Sequence, residues 1–198
     1  MKTRHKLDFY ETHAALTWVL LENLELNGHL GAPVTVLEPC SGAGAIARVL
    51  AGSKQFQEVL TNDLDPAQAS DTHWDATLKS SWEDQRPGWV ITNPPFNQAP
   101  KILPLAHNAS TQGVAMLLRL SYLEPCSDLK RMGSYRGPWL QENPPDQVII
   151  VWPRPKFRAD TKGNDSVTVG WFIWSHLEAE KPYPPLVFCN DWQEQGQR

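Results

Sequence analysis

Apolar residues recur at helical spacing early in the chain, as Ala15, Leu16, Val19, Leu20 and Leu24, with Glu22 and Glu25 on the opposite side. The spacing predicts a helix over 10–28, with Thr12 as its cap and Asn27-Gly28 as its stop. After it the rhythm changes to short apolar or β-branched runs at 34–37, 59–63 (closing in Asn62-Asp63), 89–91, 113–118, 148–152 and 167–174. Runs without polar alternation suit strands covered on both faces, as in a parallel sheet. Helical segments are predicted between them at 45–51, stopped by Gly52, and at 97–109, with Ile102, Leu103, Leu105 and Ala106 inward and a kink at Pro104. Residues 67–87 are too polar and irregular to assign. Segment 121–145 is rich in Pro, Gly and charge and predicts a long loop with at best a short helix. A basic loop at 153–165 and an edge strand or surface strap at 186–188 complete the chain. Strands alternating with helices make an α/β sheet, with ligand chemistry expected at the carboxyl ends of strands.

Composition adds limits rather than identity. With 198 residues, 41% hydrophobic and 20% charged, the chain is expected to be one soluble domain spanning 1–198, with a loose tail over 1–7. No apolar run is long enough to span a membrane, and the basic start is not followed by a signal-peptide core. Three scattered cysteines, Cys40, Cys126 and Cys189, argue against a disulfide framework or zinc knuckle and predict a cytoplasmic setting. The histidines lack metal-ligand spacing, so no metal site is expected. The net charge of −4 speaks against non-specific coating of nucleic acid. Between 119 and 162, however, eight basic residues stand against five acidic ones, so one face is suited to a polyanion.

Three features carry candidate chemistry, and each falls at the end of an expected strand. The first is the turn Glu38-Pro39-Cys40-Ser41-Gly42-Ala43-Gly44, whose glycines allow φ > 0 and close approach of a ligand. It lacks the lysine of a phosphate-binding loop, and its opening acid suits a ligand bearing an ammonium or hydroxyls. The second is Asp63, about twenty residues beyond the glycines, the spacing at which an acid accepts ribose hydroxyls. Asp75 follows it, as either an adenine contact or an ordinary turn aspartate. The third is Asn93-Pro94-Pro95-Phe96. The prolines end the strand in an extended bend. Asn93 and the Pro94 carbonyl then offer acceptors to a planar amino group, and Phe96 offers a face for stacking.

With these motifs in this order, the chain resembles S-adenosylmethionine-dependent amino-methyltransferases, specifically the gamma arrangement of DNA adenine-N6 enzymes of small phage or bacterial orphan type. The resemblance covers about residues 8–120 by motif and reaches Trp174 by strand order. It implies a Rossmann-like class I methyltransferase fold: a mostly parallel sheet of about seven strands, helices on both faces and an antiparallel last strand. Tyr10 and Thr12 are similar to the segment that the family places beside the methionine end of the cofactor, with His13 in place of the usual proline. Glu38, Pro39, Ser41, Gly42 and Gly44 would line the methionine and ribose portion, Asp63 the ribose hydroxyls, Leu64 the adenine ring and Asp75 its amino edge. Asn93, Pro94, Pro95 and Phe96 would hold the target amino group and base, with Asn93 also reaching the cofactor.

A base must leave its stack to be reached, so unpaired or flipped substrate is expected. The loops over 121–145 and 153–166 are the candidates for gripping the strand, through Lys130, Arg131, Arg136, Arg154, Lys156 and Arg158, with Tyr135, Trp139 and Phe157 interleaved. Ordinary solvated surface is their alternative. DNA is the expected partner. RNA carrying adenine or guanine is the close alternative, since the same tetrapeptide occurs in RNA amino-methyltransferases. A protein glutamine target more often comes with Tyr in the last position, and a cytosine-N4 target with Ser in the first. From another class, the chain could be a non-catalytic, methyltransferase-like nucleic-acid-binding subunit.

Overall fold

A computed structural model describes residues 12–124, 136–155, 167–178 and 182–194. Its elements run α1 (Ala14–Leu26), β1 (Val34–Glu38), α2 (Ala45–Gly52), β2 (Phe56–Thr61), β3 (Trp89–Thr92), α3 (Ala99–Ala109), β4 (Gly113–Arg119), α4 (Arg136–Glu142), β5 (Gln147–Val151), β6 (Val169–Ser175) and β7 (Leu186–Cys189). The strands form one sheet in the order β2-β1-β3-β4-β6-β5-β7. All pairings are parallel except those of β6, which runs antiparallel to β4 and β5. Thus the strand expected over 167–174 is the antiparallel one, and the run expected over 186–188 is an edge strand parallel to β5.

The apolar runs divide by twos between the faces of the sheet, as strand geometry requires. Trp89, Ile91, Ala115, Leu117, Trp171 and Ile173 point to the side covered by α1 and α2. Val90, Val114, Met116, Phe172 and Trp174 point to the other, against Ile102, Leu103 and Ala106 of α3. Helices on both faces explain why β3 and β4 are apolar up to their last residues, Thr92 and Arg119. At the edge, β2 begins three residues earlier than the run at 59–63 suggested, because Gln57 and Glu58 meet solvent and break the apolar pattern.

The first helix differs from expectation at its start. His13, not Thr12, is the cap: its Nδ1 accepts from the Ala15 N–H at 3.2 Å. Thr12 is instead buried, one residue too early to cap the helix. At the other end Gly28, at φ 68°, turns the chain so that the His29 N–H reaches the Leu24 carbonyl at 2.9 Å. Pro104 lies within the second turn of α3, where its missing N–H removes one helical bond. The short helix foreseen within 121–145 is α4. Among the described residues, no helix is long and apolar enough to cross a membrane.

The chain visits β2 on one side of β1 and then crosses back to β3 on the other, which opens a crevice at the carboxyl ends of these strands. The walls of that crevice are tied together by Asn62, whose side chain is fully buried. Its Nδ2 donates to the Pro39 and Trp74 carbonyls, both at 3.0 Å. Its Oδ1 accepts from the Trp74 N–H at 2.8 Å and the Thr72 hydroxyl at 3.0 Å. The turn after β1 and the irregular segment after β2 are thereby held to one amide. Asn62→Ala removes all four bonds. It leaves the Pro39 carbonyl and both Trp74 backbone groups without a partner, while the Thr72 hydroxyl keeps the Thr61 carbonyl. The cost is about 1–3 kcal/mol for each polar group that water cannot reach. Urea denaturation of the variant is expected to show a loss of about 2–4 kcal/mol. A loss below about 0.5 kcal/mol, the scale of a surface substitution, would contradict this role.

Candidate active site

The crevice encloses a cavity of about 450 Å³, within the range of small-molecule sites. Three strand ends supply its walls. From β1 come Glu38, Pro39, Ser41 and Gly42; from beyond β2 come Asp63, Leu64 and Asp75; from β3 come Asn93, Pro94, Pro95 and Phe96. Thr12 lines it as well. Most of the residues singled out in the sequence are therefore brought to one place. Gly44 is the exception among the described cofactor residues: it shapes the turn without lining the cavity.

The turn after β1 is built on its glycines. Gly42 and Gly44 have φ of 50° and 74°, the left-handed region that side chains with a Cβ rarely adopt. Gly44 caps α2 in that conformation, and its N–H reaches the Ser41 carbonyl at 2.8 Å. Glu38 lies beneath the turn, almost wholly buried, and its Oε2 accepts from the Ala47 N–H at 2.8 Å. That N–H belongs to the first turn of α2, where donors lack helical partners and the dipole favours negative charge. Burial nevertheless pushes the Glu38 carboxyl well above its ordinary range, the Ala47 bond pulls it back and nearby Asp63 raises it further.

Asp63 has two structural bonds of its own. Oδ2 accepts from the Gly42 N–H at 2.7 Å and Oδ1 from the Asp65 N–H at 2.9 Å. It therefore fixes the glycine turn in addition to facing the cavity. Asp75 lines the cavity and is also a turn aspartate, its Oδ1 accepting from the Thr77 N–H and hydroxyl at 2.8 and 2.7 Å. Those bonds hold its carboxyl below the ordinary range. Leu64 is 56% exposed over the cavity, an apolar surface left open to a planar ligand.

At the third strand end, Asn93 Nδ2 donates to Thr12 Oγ1 at 3.0 Å, so the segment before α1 orients the amide. The Pro95 carbonyl is taken by the Gln98 and Ala99 N–H groups, at 2.8 and 3.0 Å. The Pro94 carbonyl makes no hydrogen bond among the described residues. Phe96 carries the Arg119 guanidinium over its ring, 4.7 Å from the centroid.

Ser41 was expected at this site, whereas Gln98 and several other wall residues were missed by sequence reasoning. Ser41 Oγ and Gln98 Oε1 are buried and have no hydrogen-bond partner among the described residues, while both side chains line the cavity. Asp65, Trp74 and Ile102 line it too. Asn62 was missed although β2, like β3, is followed at its end by Thr-Asn, as Thr61-Asn62 and Thr92-Asn93. Tyr10, Lys130, Arg131, Lys156 and Arg158, with Tyr135 and Phe157, lie outside the described residues. Arg154 is exposed just after β5 and lines neither this cavity nor the smaller one that shares Phe96. Arg136 lines that smaller one.

Four carboxylates and no described lysine, arginine or histidine line the larger cavity. Such a set accepts from hydroxyls and amino groups, favours a cationic ligand and repels a pyrophosphate. The sign of the Glu38 shift gives a test. Its proton is held more tightly in the folded state, so its contribution to stability is greatest at acid pH and falls as pH rises above the ordinary value of 4.5. Glu38→Gln keeps an acceptor for the Ala47 N–H and removes the buried charge. Its melting temperature is expected to exceed that of the unsubstituted protein at pH 8, with the difference shrinking toward pH 4. Parallel melting curves across that range would contradict it.

No family model matches the sequence, and no curated protein matches it. Solved structures do match. A Listeria monocytogenes protein described as a class I S-adenosylmethionine-dependent methyltransferase superposes with a TM-score of 0.58 at 11% identity, covering 95% of this chain and 69% of its own. A Pyrococcus horikoshii protein described as an RNA methyltransferase gives 0.58 at 18% identity, over 88% and 90%. A protein from Vibrio vulnificus, described as the modification subunit of a type I restriction enzyme, gives 0.56 at 13% identity. There the match covers 84% of this chain but only 44% of the subunit. At such identities the likeness defines architecture, and the architecture is the Rossmann-like fold of the class I methyltransferases.

Proposed function

We propose that the chain transfers a methyl group from S-adenosylmethionine to the exocyclic N6 amino group of adenine in DNA. The observation that carries this reading is one cavity running from the turn after β1, past Asp63, to Asn93, Pro94 and Phe96. Cofactor-type and amino-gripping residues there share a single space.

The donor set fits S-adenosylmethionine. Its ammonium and ribose hydroxyls suit Glu38, Asp63 and Asp65, its adenine amino group suits Asp75, and its ring suits Leu64 and Ile102. Ser41 Oγ and Gln98 Oε1 gain partners from a polar ligand that they otherwise lack. A cationic ligand also relieves the cost of ionising Glu38 under the turn. When bound, the cofactor supplies an electrophilic methyl group on a sulfonium.

The chain's own residues prepare the nucleophile. The lone pair of an aromatic amino group is delocalised into its ring. Asn93, oriented by Thr12, and the Pro94 carbonyl accept from its two hydrogens and draw the nitrogen toward a pyramidal shape with a localised lone pair. Phe96 offers its ring to the base, and fixing both reactants supplies much of the rate. No dedicated general base is required, since the methylated nitrogen is acidic and releases its proton to solvent. The resemblance at Asn93-Pro94-Pro95-Phe96 favours adenine. Proteins of the same fold described as a restriction-modification subunit and an RNA methyltransferase favour nucleic acid as the polymer.

The test is incubation with radiolabelled S-adenosylmethionine and DNA, RNA or protein, followed by identification of the methylated group. N6-methyladenine in DNA is expected. Label confined to RNA would move the same chemistry to that polymer, and label confined to protein would overturn the reading. Asn93→Ala is expected to keep cofactor binding and to lose about 10²–10³-fold in transfer, the scale of removing one preorganised polar contact. Full activity in that variant would refute the assignment of Asn93.

A further inference from the structure

Phe96 also lines the second cavity, of about 220 Å³, whose character is opposite to that of the first. Arg119 and Arg136 stand in its wall with Tyr122, Ser121 and Asn97, and no carboxylate is among its described lining residues. Arg119 ends β4 and lies over the Phe96 ring, with its Nε buried and unbonded among the described residues. Arg136 opens α4, lies over the Tyr122 ring at 5.2 Å from the centroid and donates from Nη2 to the Glu124 carbonyl at 2.7 Å. Ring faces and a carbonyl orient the two guanidinium groups without cancelling the charge of either. Two cations around so small a space repel each other. An anion between them removes that repulsion and takes up their in-plane donors, and an uncharged ligand does neither.

Resting on the reading that Asn93 grips a nucleobase, we propose that this cavity is a phosphate subsite, which holds a phosphodiester of the strand carrying the target nucleotide. The two cavities divide a nucleotide by charge. The acidic one repels phosphate and accepts amino and hydroxyl groups, and the basic one attracts phosphate. The ring of Phe96 is common to both. A base and its own phosphate are separated by a single ribose, which matches two cavities that share one side chain. Ser121 and Asn97, both exposed, add neutral donors at the rim. A side-chain amide presented by a protein brings no anion to this position, so the subsite selects nucleic acid as the polymer. DNA and RNA share the phosphodiester, and Arg119, which the sequence did not single out, becomes a substrate-binding residue.

The test uses the whole chain and fluorescein-labelled single-stranded oligonucleotides of matched DNA and RNA sequence, each on the order of ten nucleotides with one adenine. Fluorescence anisotropy is followed across a NaCl series with S-adenosylhomocysteine present. Arg136→Gln and Arg119→Gln are each expected to weaken binding about tenfold, the scale of one lost charge-assisted bond. Each is also expected to lower the slope of log K against log salt by about 0.7, the value of one single-strand phosphate. Arg136→Lys is expected to keep the slope, since it keeps the charge. Calorimetric binding of S-adenosylhomocysteine, unchanged in all variants, certifies the fold. The polymer whose affinity falls more is the one that the subsite serves.

Unchanged affinity and slope in both glutamine variants would overturn the subsite, and so would an absence of oligonucleotide binding by the unsubstituted protein. Methyl transfer to the same oligonucleotides is scored separately. Transfer with an unaltered KM in both variants would remove the subsite and leave the amino-methyl reading standing. Arginine-dependent binding without any transfer would do the reverse.

Discussion

The cavity-bearing end of this fold depends on a buried amide. Asn62 sits where β2 ends, and its side chain satisfies both donors and both acceptor directions within the protein. Its backbone adds two more ties, with its N–H on the Glu38 carbonyl and its carbonyl accepting from Ser41, each at 2.9 Å. An apolar residue of similar size fills the same space but leaves the Pro39 carbonyl and the Trp74 backbone groups without their partner. The glycine turn, the segment carrying Asp75 and the position of Asp63 all follow from this one side chain. Hydrophobic packing builds the sheet, and a polar clamp decides what shape the sheet's end presents.

Electrostatics then sorts what that end can hold. Glu38 is kept beneath the turn by the first turn of α2 at the cost of a buried carboxylate, and Asp63, Asp65 and Asp75 add to the same sign. Beyond Phe96 the sign changes at Arg119 and Arg136. The boundary between the two regions falls on the aromatic ring of the tetrapeptide that follows β3. Geometry of that kind favours a substrate with a planar, amino-bearing part and an anionic part close to it.

Much of this was legible in the chain because buried parallel strands leave continuous apolar runs, and those at β3, β4 and β6 were unmistakable. The turn at Glu38, Asp63 and Asn93 stood out for the same reason, since polar residues that interrupt such runs mark strand ends. What was hidden has physical causes. In edge strand β2, solvent-facing Gln57 and Glu58 separate buried Phe56 from Val59, so its start carries no continuous apolar signal. Thr12 reads as a cap by residue type, yet its hydroxyl serves Asn93 across 81 residues of sequence, a pairing that no local pattern announces. Asn62 looks like any polar residue after a strand until the segment from Thr72 to Trp74 folds onto it. Arg119 appeared as the polar end of β4, and only its approach to Phe96 gives it a place in a site.

In the proposed function the acidic cavity receives S-adenosylmethionine, with Asp63 both bracing the glycine turn and facing the ligand. Isothermal titration with S-adenosylhomocysteine tests it without any knowledge of the methyl acceptor. One molecule is expected to bind per chain, and binding is expected to be about tenfold weaker or worse in Asp63→Ala, where a charge-assisted contact and the Gly42 bond are both lost. An absence of binding by the unsubstituted protein, or equal affinity in the two, would contradict it.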